Sequence, residues 1–80
     1  MHEVRNQNER AEQLFLAGLE LYPGSVRLLG HYALFILNKR RNVELAGNLY
    51  RQAVTAQPND AEALGNLAWF LASDYTQGLK

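Results

Sequence analysis

Slid 35 places along itself, the chain meets its own pattern. Leu29-Gly30 falls on Leu64-Gly65, Ala33 on Ala68, Phe35 on Phe70 and Ile36 on Leu71. Upstream, Ala11 falls on Ala46, Leu14 on Leu49, Phe15 on Tyr50 and Pro23 on Pro58. Small or polar residues follow each proline, Gly24-Ser25 and Asn59-Asp60. A unit of this length cannot bury its apolar face alone, so a core is expected to form by stacking of neighbouring units.

Within each block the apolar residues keep a helical period. Leu14, Phe15, Gly18, Leu19 and Tyr22 are spaced by threes and fours. So are Leu28, Leu29, Tyr32, Leu34, Phe35 and Ile36, then Leu45, Leu49, Tyr50, Ala53 and Val54, then Leu64, Leu67, Ala68 and Leu71. Ser25 and Asp60 sit where an N-cap side chain accepts a bond from free first-turn N–H groups. Asn42 can do the same, with Glu44 just inside the following turn. Pro23 and Pro58 stop the helices before them. These signals predict an all-α chain of four helices at 6–21, 26–38, 43–56 and 61–72, joined by short turns and therefore antiparallel. The tail 73–80 reads as the approach to a fifth helix.

Eighty residues allow one small domain. A single core of that size seldom supplies more than about 3–5 kcal/mol, so support must come from regular packing, self-association or neighbouring sequence. There is no cysteine for a disulfide, and the two histidines lack companions for a metal site. Eight basic residues balance eight acidic ones, which leaves no electrostatic footprint for nucleic acid or an anionic membrane. Lys39-Arg40-Arg41 is the local exception and reads as a solvated turn, or else as a phosphate contact. The polar N-terminus is no signal-peptide core, and no apolar run nears the ~20 residues that span a bilayer. A soluble cytoplasmic protein without membrane insertion is the expectation.

Catalytic groupings are missing from the sequence. It holds no cysteine nucleophile, no carboxylate pair with a base, no metal cluster and no phosphate-cradling glycine loop. No cofactor and no enzyme activity are expected, and Glu9, Glu12, Glu20, Glu44 and Glu62 read as solvated helix faces.

A helix pair closing in Ala-x3-aromatic-x2-Ala-x4-Pro resembles the tetratricopeptide repeat. Here that pattern reads Ala46, Tyr50, Ala53, Pro58, with an earlier copy at Ala11, Phe15, Gly18, Pro23. The family's first-helix positions correspond to Leu29, Tyr32, Ala33, Ile36 and to Leu64, Leu67, Ala68, Leu71. The resemblance implies one domain over 1–80, a right-handed α-solenoid. It comprises the second helix of one repeat at 6–21, a full repeat at 26–58 and the first helix of the next at 61–72. The central unit is one residue longer than the family's usual 34, with the addition expected in the Lys39–Asn42 turn. Tyr32-Ala33-Leu34-Phe35 with Leu49-Tyr50-Arg51-Gln52-Ala53 is also similar to the half-a-tetratricopeptide repeat of RNA-processing scaffolds. That family favours glutamate where Ile36 stands and tryptophan where Leu29 stands. A pentatricopeptide RNA reader shares the period but not the proline turns or the neutral charge.

By this resemblance the repeat core comprises Ala11, Phe15, Leu29, Tyr32, Ala33, Ile36, Ala46, Tyr50, Ala53, Leu64, Leu67, Ala68 and Leu71. The concave, partner-holding face comprises Arg27, His31, Leu34 and Asn38, then Glu62, Asn66 and Trp69, with Gly30, Gly65 and Ser73 beside them. Leu34 and Trp69 are its apolar anchors, tryptophan being a frequent hot spot. Trp69 packed on a neighbouring helix and His31 as a plain surface residue are the alternative readings. Asn66 resembles an asparagine of carboxylate-gripping family members, whose accompanying lysines have no counterparts here. Gly30 and Gly65 suggest a close approach, of a ligand or of an adjoining helix. The implied function is protein or peptide binding. Homodimerisation through open helix faces and an RNA-processing scaffold without direct nucleic-acid contact are the other two readings.

Overall fold

This computed structural model describes residues 4–73, and within them the chain is all α. Four helices follow in order: α1, Val4–Leu21; α2, Val26–Phe35, running on through a π-helical turn, Ile36–Arg40; α3, Val43–Ala56; and α4, Ala61–Ala72. The expected approach to a fifth helix lies, beyond Ser73, outside the described residues.

Local chemistry sets the ends. Ser25 Oγ accepts from Leu28 N at 3.2 Å, and Asn42 Oδ1 accepts from Leu45 N at 3.0 Å. Asp60 Oδ1 accepts from Glu62 N at 2.8 Å and Ala63 N at 3.1 Å. Each cap satisfies N–H groups that have no partner in the helix itself. α1 and α3 both stop two residues before a proline. Past them the turns repeat at the same 35-residue offset: Ser25 N donates to Tyr22 O at 3.1 Å, and Asp60 N to Gln57 O at 3.2 Å. Gln57 Nε2 also donates to Gly24 O at 3.1 Å, tying one proline turn to the other.

The turn between α2 and α3 differs from its expectation. The helix does not stop at Asn38. It widens over Ile36–Arg40, where Arg41 N–H reaches back five residues to Ile36 O. A π turn takes up one residue more than an α turn, so the additional residue is absorbed inside the helix end rather than in a loop. Arg41 then closes it in the left-handed conformation at φ 58°, and only Arg41 and Asn42 link the helices.

Helix α2 is the hub and packs on α1, α3 and α4. Its seam with α3 is the core: Leu29, Ala33, Ile36 and Leu37 meet Ala46, Leu49, Tyr50 and Ala53, all buried. Val26, Tyr32, Ala63 and Phe70 complete it, and Phe15, Leu19 and Leu67 pack on it half-buried. Alanines on both sides of the seam let the backbones approach closely. The Cα trace is a slab of 43 × 33 × 15 Å, the short dimension fitting two layers of helices about 10 Å apart.

Three expected core residues lie elsewhere. Leu64, Ala68 and Leu71 are exposed on α4. That helix turns Ala63 and Phe70 inward instead, with Phe70 5.3 Å from the Tyr50 ring of α3. Ala11 is half-buried.

The glycines of α3 and α4 should respond oppositely to alanine. A Cβ on Gly47 would come within 2.9 Å of the buried Phe70 ring, whereas one on Gly65 meets nothing within 4 Å. Gly47→Ala is expected to cost about 1–3 kcal/mol through overpacking, and Gly65→Ala to add about 0.5–1 kcal/mol. Urea midpoints followed by circular dichroism, in dilute solution, check both signs.

Candidate functional site

Positions 27, 31, 34 and 38 share one face of α2 by helical spacing, and 62, 66 and 69 share the corresponding face of α4. The structure sets these rows side by side, because α2 and α4 touch where Asn66 lies over Gly30. A Cβ on Gly30 would stand 2.7 Å from Asn66 Nδ2. The close approach expected at this glycine is thus that of the adjoining helix. Its counterpart Gly65 stays open.

Arg27, His31, Leu34, Asn38, Glu62 and Trp69 are exposed, and Asn66 is half-buried by its position on Gly30. Leu34 keeps 44% of its surface and Trp69 49%. Trp69 is nonetheless braced, its ring 6.4 Å from that of Tyr50 and edge-on at 70°. One side of the indole is packed on α3 while the rest faces solvent. A rigid, half-open aromatic offers contact area at little entropic cost on binding.

A polar cluster that the sequence reading missed fastens α1 to α2. Tyr32 Oη donates to Glu12 Oε2 at 2.7 Å, and Arg40 Nη2 pairs with Glu12 Oε1. Glu12 is therefore no solvated face, and Arg40 is no idle turn charge. The partners lie 20 and 28 residues apart, so no local signal joins them. Phe15 stacks on the Tyr32 ring at 5.3 Å and meets Phe35 at 5.6 Å. The second of these contacts recurs 35 residues on as Tyr50 with Phe70 at 5.3 Å. A hollow of about 830 Å³ lies beside the π turn, where Arg41, Asn42, Glu44 and Arg51 surround Gly47 and Leu71.

Among the described residues no three His, Cys, Asp or Glu side chains stand together as metal ligands. No helix among them is long and apolar enough to cross a membrane. Over the described residues the chain is all-helical, and α2 and α4 present a mixed polar and aromatic face.

Comparison with known proteins adds one likeness. The chain is similar to the protein adenylyltransferase Fic of Drosophila yakuba and of Drosophila melanogaster, 37% identical over 63 residues in each case. That stretch is 79% of this chain and 13% of the relative. The Drosophila persimilis protein of the same name is 36% identical over 66 residues, 82% of this chain and 13% of its own length. The chain thus spans about 13% of the length of the curated relatives it matches. No family model matches it, and no solved structure does.

Burial raises the Tyr32 phenol from its ordinary 10.0 to about 12, aided by the hydrogen bond to Glu12 and by that carboxylate's charge, with Arg40 opposing. The fold favours the neutral phenol. This contribution is complete below pH 10 and is lost as pH rises from 10 to 12. Tyr32→Phe is expected to cost about 1 kcal/mol at neutral pH and to flatten the alkaline loss of stability relative to wild type. Urea unfolding of both proteins across that window tests it.

Proposed function

We propose that the chain is a tetratricopeptide-like helical module, 1–80, that holds a protein or peptide on the exposed face of α2 and α4. The supporting observation is the pair Leu34 and Trp69, which occupy equivalent positions 35 residues apart and stay about half exposed, with Trp69 braced on the Tyr50 ring. Arg27, His31, Asn38 and Glu62 around them supply hydrogen-bonding and charged groups for a peptide backbone or polar side chains. Asn66 serves the helix contact at Gly30 as well as the face. In this reading the module is a binding element and carries no catalytic chemistry of its own.

The likeness to adenylyltransferases supports a more specific setting. An enzyme that modifies proteins has to hold a protein while the transfer occurs, and binding remote from the chemistry contributes to that. A helical module with an open face and no reactive cluster suits this holding role. We infer that the chain serves as such a holding segment for a protein substrate.

The test is binding of dye-labelled peptides selected by display against the chain, read by fluorescence anisotropy of the peptide, so that the signal does not depend on Trp69, the chain's single tryptophan. Leu34→Ala and Trp69→Ala are each expected to weaken binding about tenfold or more. Helical circular dichroism should be retained in both. Unfolding in both variants would assign the two side chains to the core and remove the reading.

A further inference from the structure

The residues that build the α2–α3 seam recur 35 positions away on the two outer helices, where α4 leaves them exposed and α1 leaves them exposed or half-buried. From α2 the seam takes Leu29, Ala33 and Ile36, all at most 1% exposed. Thirty-five residues on, the corresponding residues on α4 are Leu64, Ala68 and Leu71, and all three are exposed. From α3 the seam takes Ala46, Leu49 and Ala53. Thirty-five residues back, α1 carries Ala11, Leu14 and Gly18, and Leu14 is 72% exposed where Leu49 is 7%. Beside Leu14, Arg10, Gln13 and Ala17 complete a shallow hollow of about 490 Å³.

We propose that copies of this chain join head to tail, with α4 of one lying on α1 of the next as α2 lies on α3. Leu64 then enters the hollow at Leu14 in the second copy, and small residues on both helices permit the same close approach as in the existing seam. The helix contact at Gly30 predicts the rest of the fit. Gly65 has no atom within 4 Å, and the added copy would lay His31 over it as Asn66 lies over Gly30. A formal net charge of zero means no long-range repulsion opposes the approach. The contact is heterologous, so each added copy leaves its own α4 open and the assembly can grow. Each addition also lengthens the α2 and α4 face on which the proposed function rests, though the joining stands or falls independently of that function.

Light scattering of the full chain from about 1 μM to about 1 mM is the test. The weight-average mass is expected to rise steadily from the 9.1 kDa monomer without levelling at a closed oligomer. Leu14→Glu and Leu64→Glu, both at exposed positions, should each weaken association about tenfold or more. Ala68→Arg serves as a second block of the α4 face should Leu64→Glu lose helical circular dichroism. Mixing the α1-blocked and α4-blocked variants is the decisive arm. Each retains one intact half, so the mixture should pair and stop at two chains. A wild-type monomer throughout the range would overturn the proposal and leave these faces to another polypeptide. Variants that assemble like wild type, or a mixture that does not pair, would overturn it equally.

Discussion

The seam between α2 and α3 is the contact on which the other helices depend. A chain this short has little apolar surface to bury, so the burial must be concentrated. Leucine and isoleucine from α2 meet alanine and leucine from α3 with almost no residual exposure, from Ala46 to Ala53 on the α3 side. α1 and α4 then find a preformed wall to pack on. α1 is held through Phe15, Leu19 and the Glu12 cluster, and α4 through Phe70 and Ala63. Neither outer helix has a second neighbour of comparable extent among the described residues, which makes both candidates for opening before the central pair does.

The Glu12, Tyr32 and Arg40 cluster shows how a polar contact and a backbone irregularity serve one another. Arg40 belongs to the π turn that ends the α2 rod, and it pairs from there with Glu12 on α1. Half-exposed, this ion pair adds little by itself. Its value lies with Tyr32, whose part-buried hydroxyl finds its acceptor in the same carboxylate, a hydrogen bond to a charged group that contributes more than a surface pair. The geometry of the helix end and the docking of α1 are therefore coupled.

On the opposite side, stability and recognition divide the residues of α2 and α4 between them. Gly30, Asn66 and Phe70 hold the helices together, while Leu34 and the outer part of Trp69 are left to solvent. Because the bracing of Trp69 on Tyr50 comes from α3, the anchor is rigid without being consumed by the core. Such a division lets the face vary in sequence while the seam stays intact.

Caps, proline turns and the helix ends they set were legible in the sequence, because each rests on groups within about four residues of one another, whereas the π turn that carries α2 to Arg40 was not. Ser25, Asn42, Asp60 and the two prolines act where the pattern places them. The inward side of α4 was not legible. Ala61, Ala63, Leu64, Leu67, Ala68, Trp69, Phe70, Leu71 and Ala72 surround that helix with apolar groups, so its pattern selects no face. Packing against α3 selected Ala63 and Phe70, and left Leu64, Ala68 and Leu71 outside. The pairing of Glu12 with Tyr32 and Arg40, and the fit of Asn66 over Gly30, were likewise decided in three dimensions. Periodicity reports that a stripe is apolar or a carboxylate available, but which neighbour meets it depends on how the helices cross.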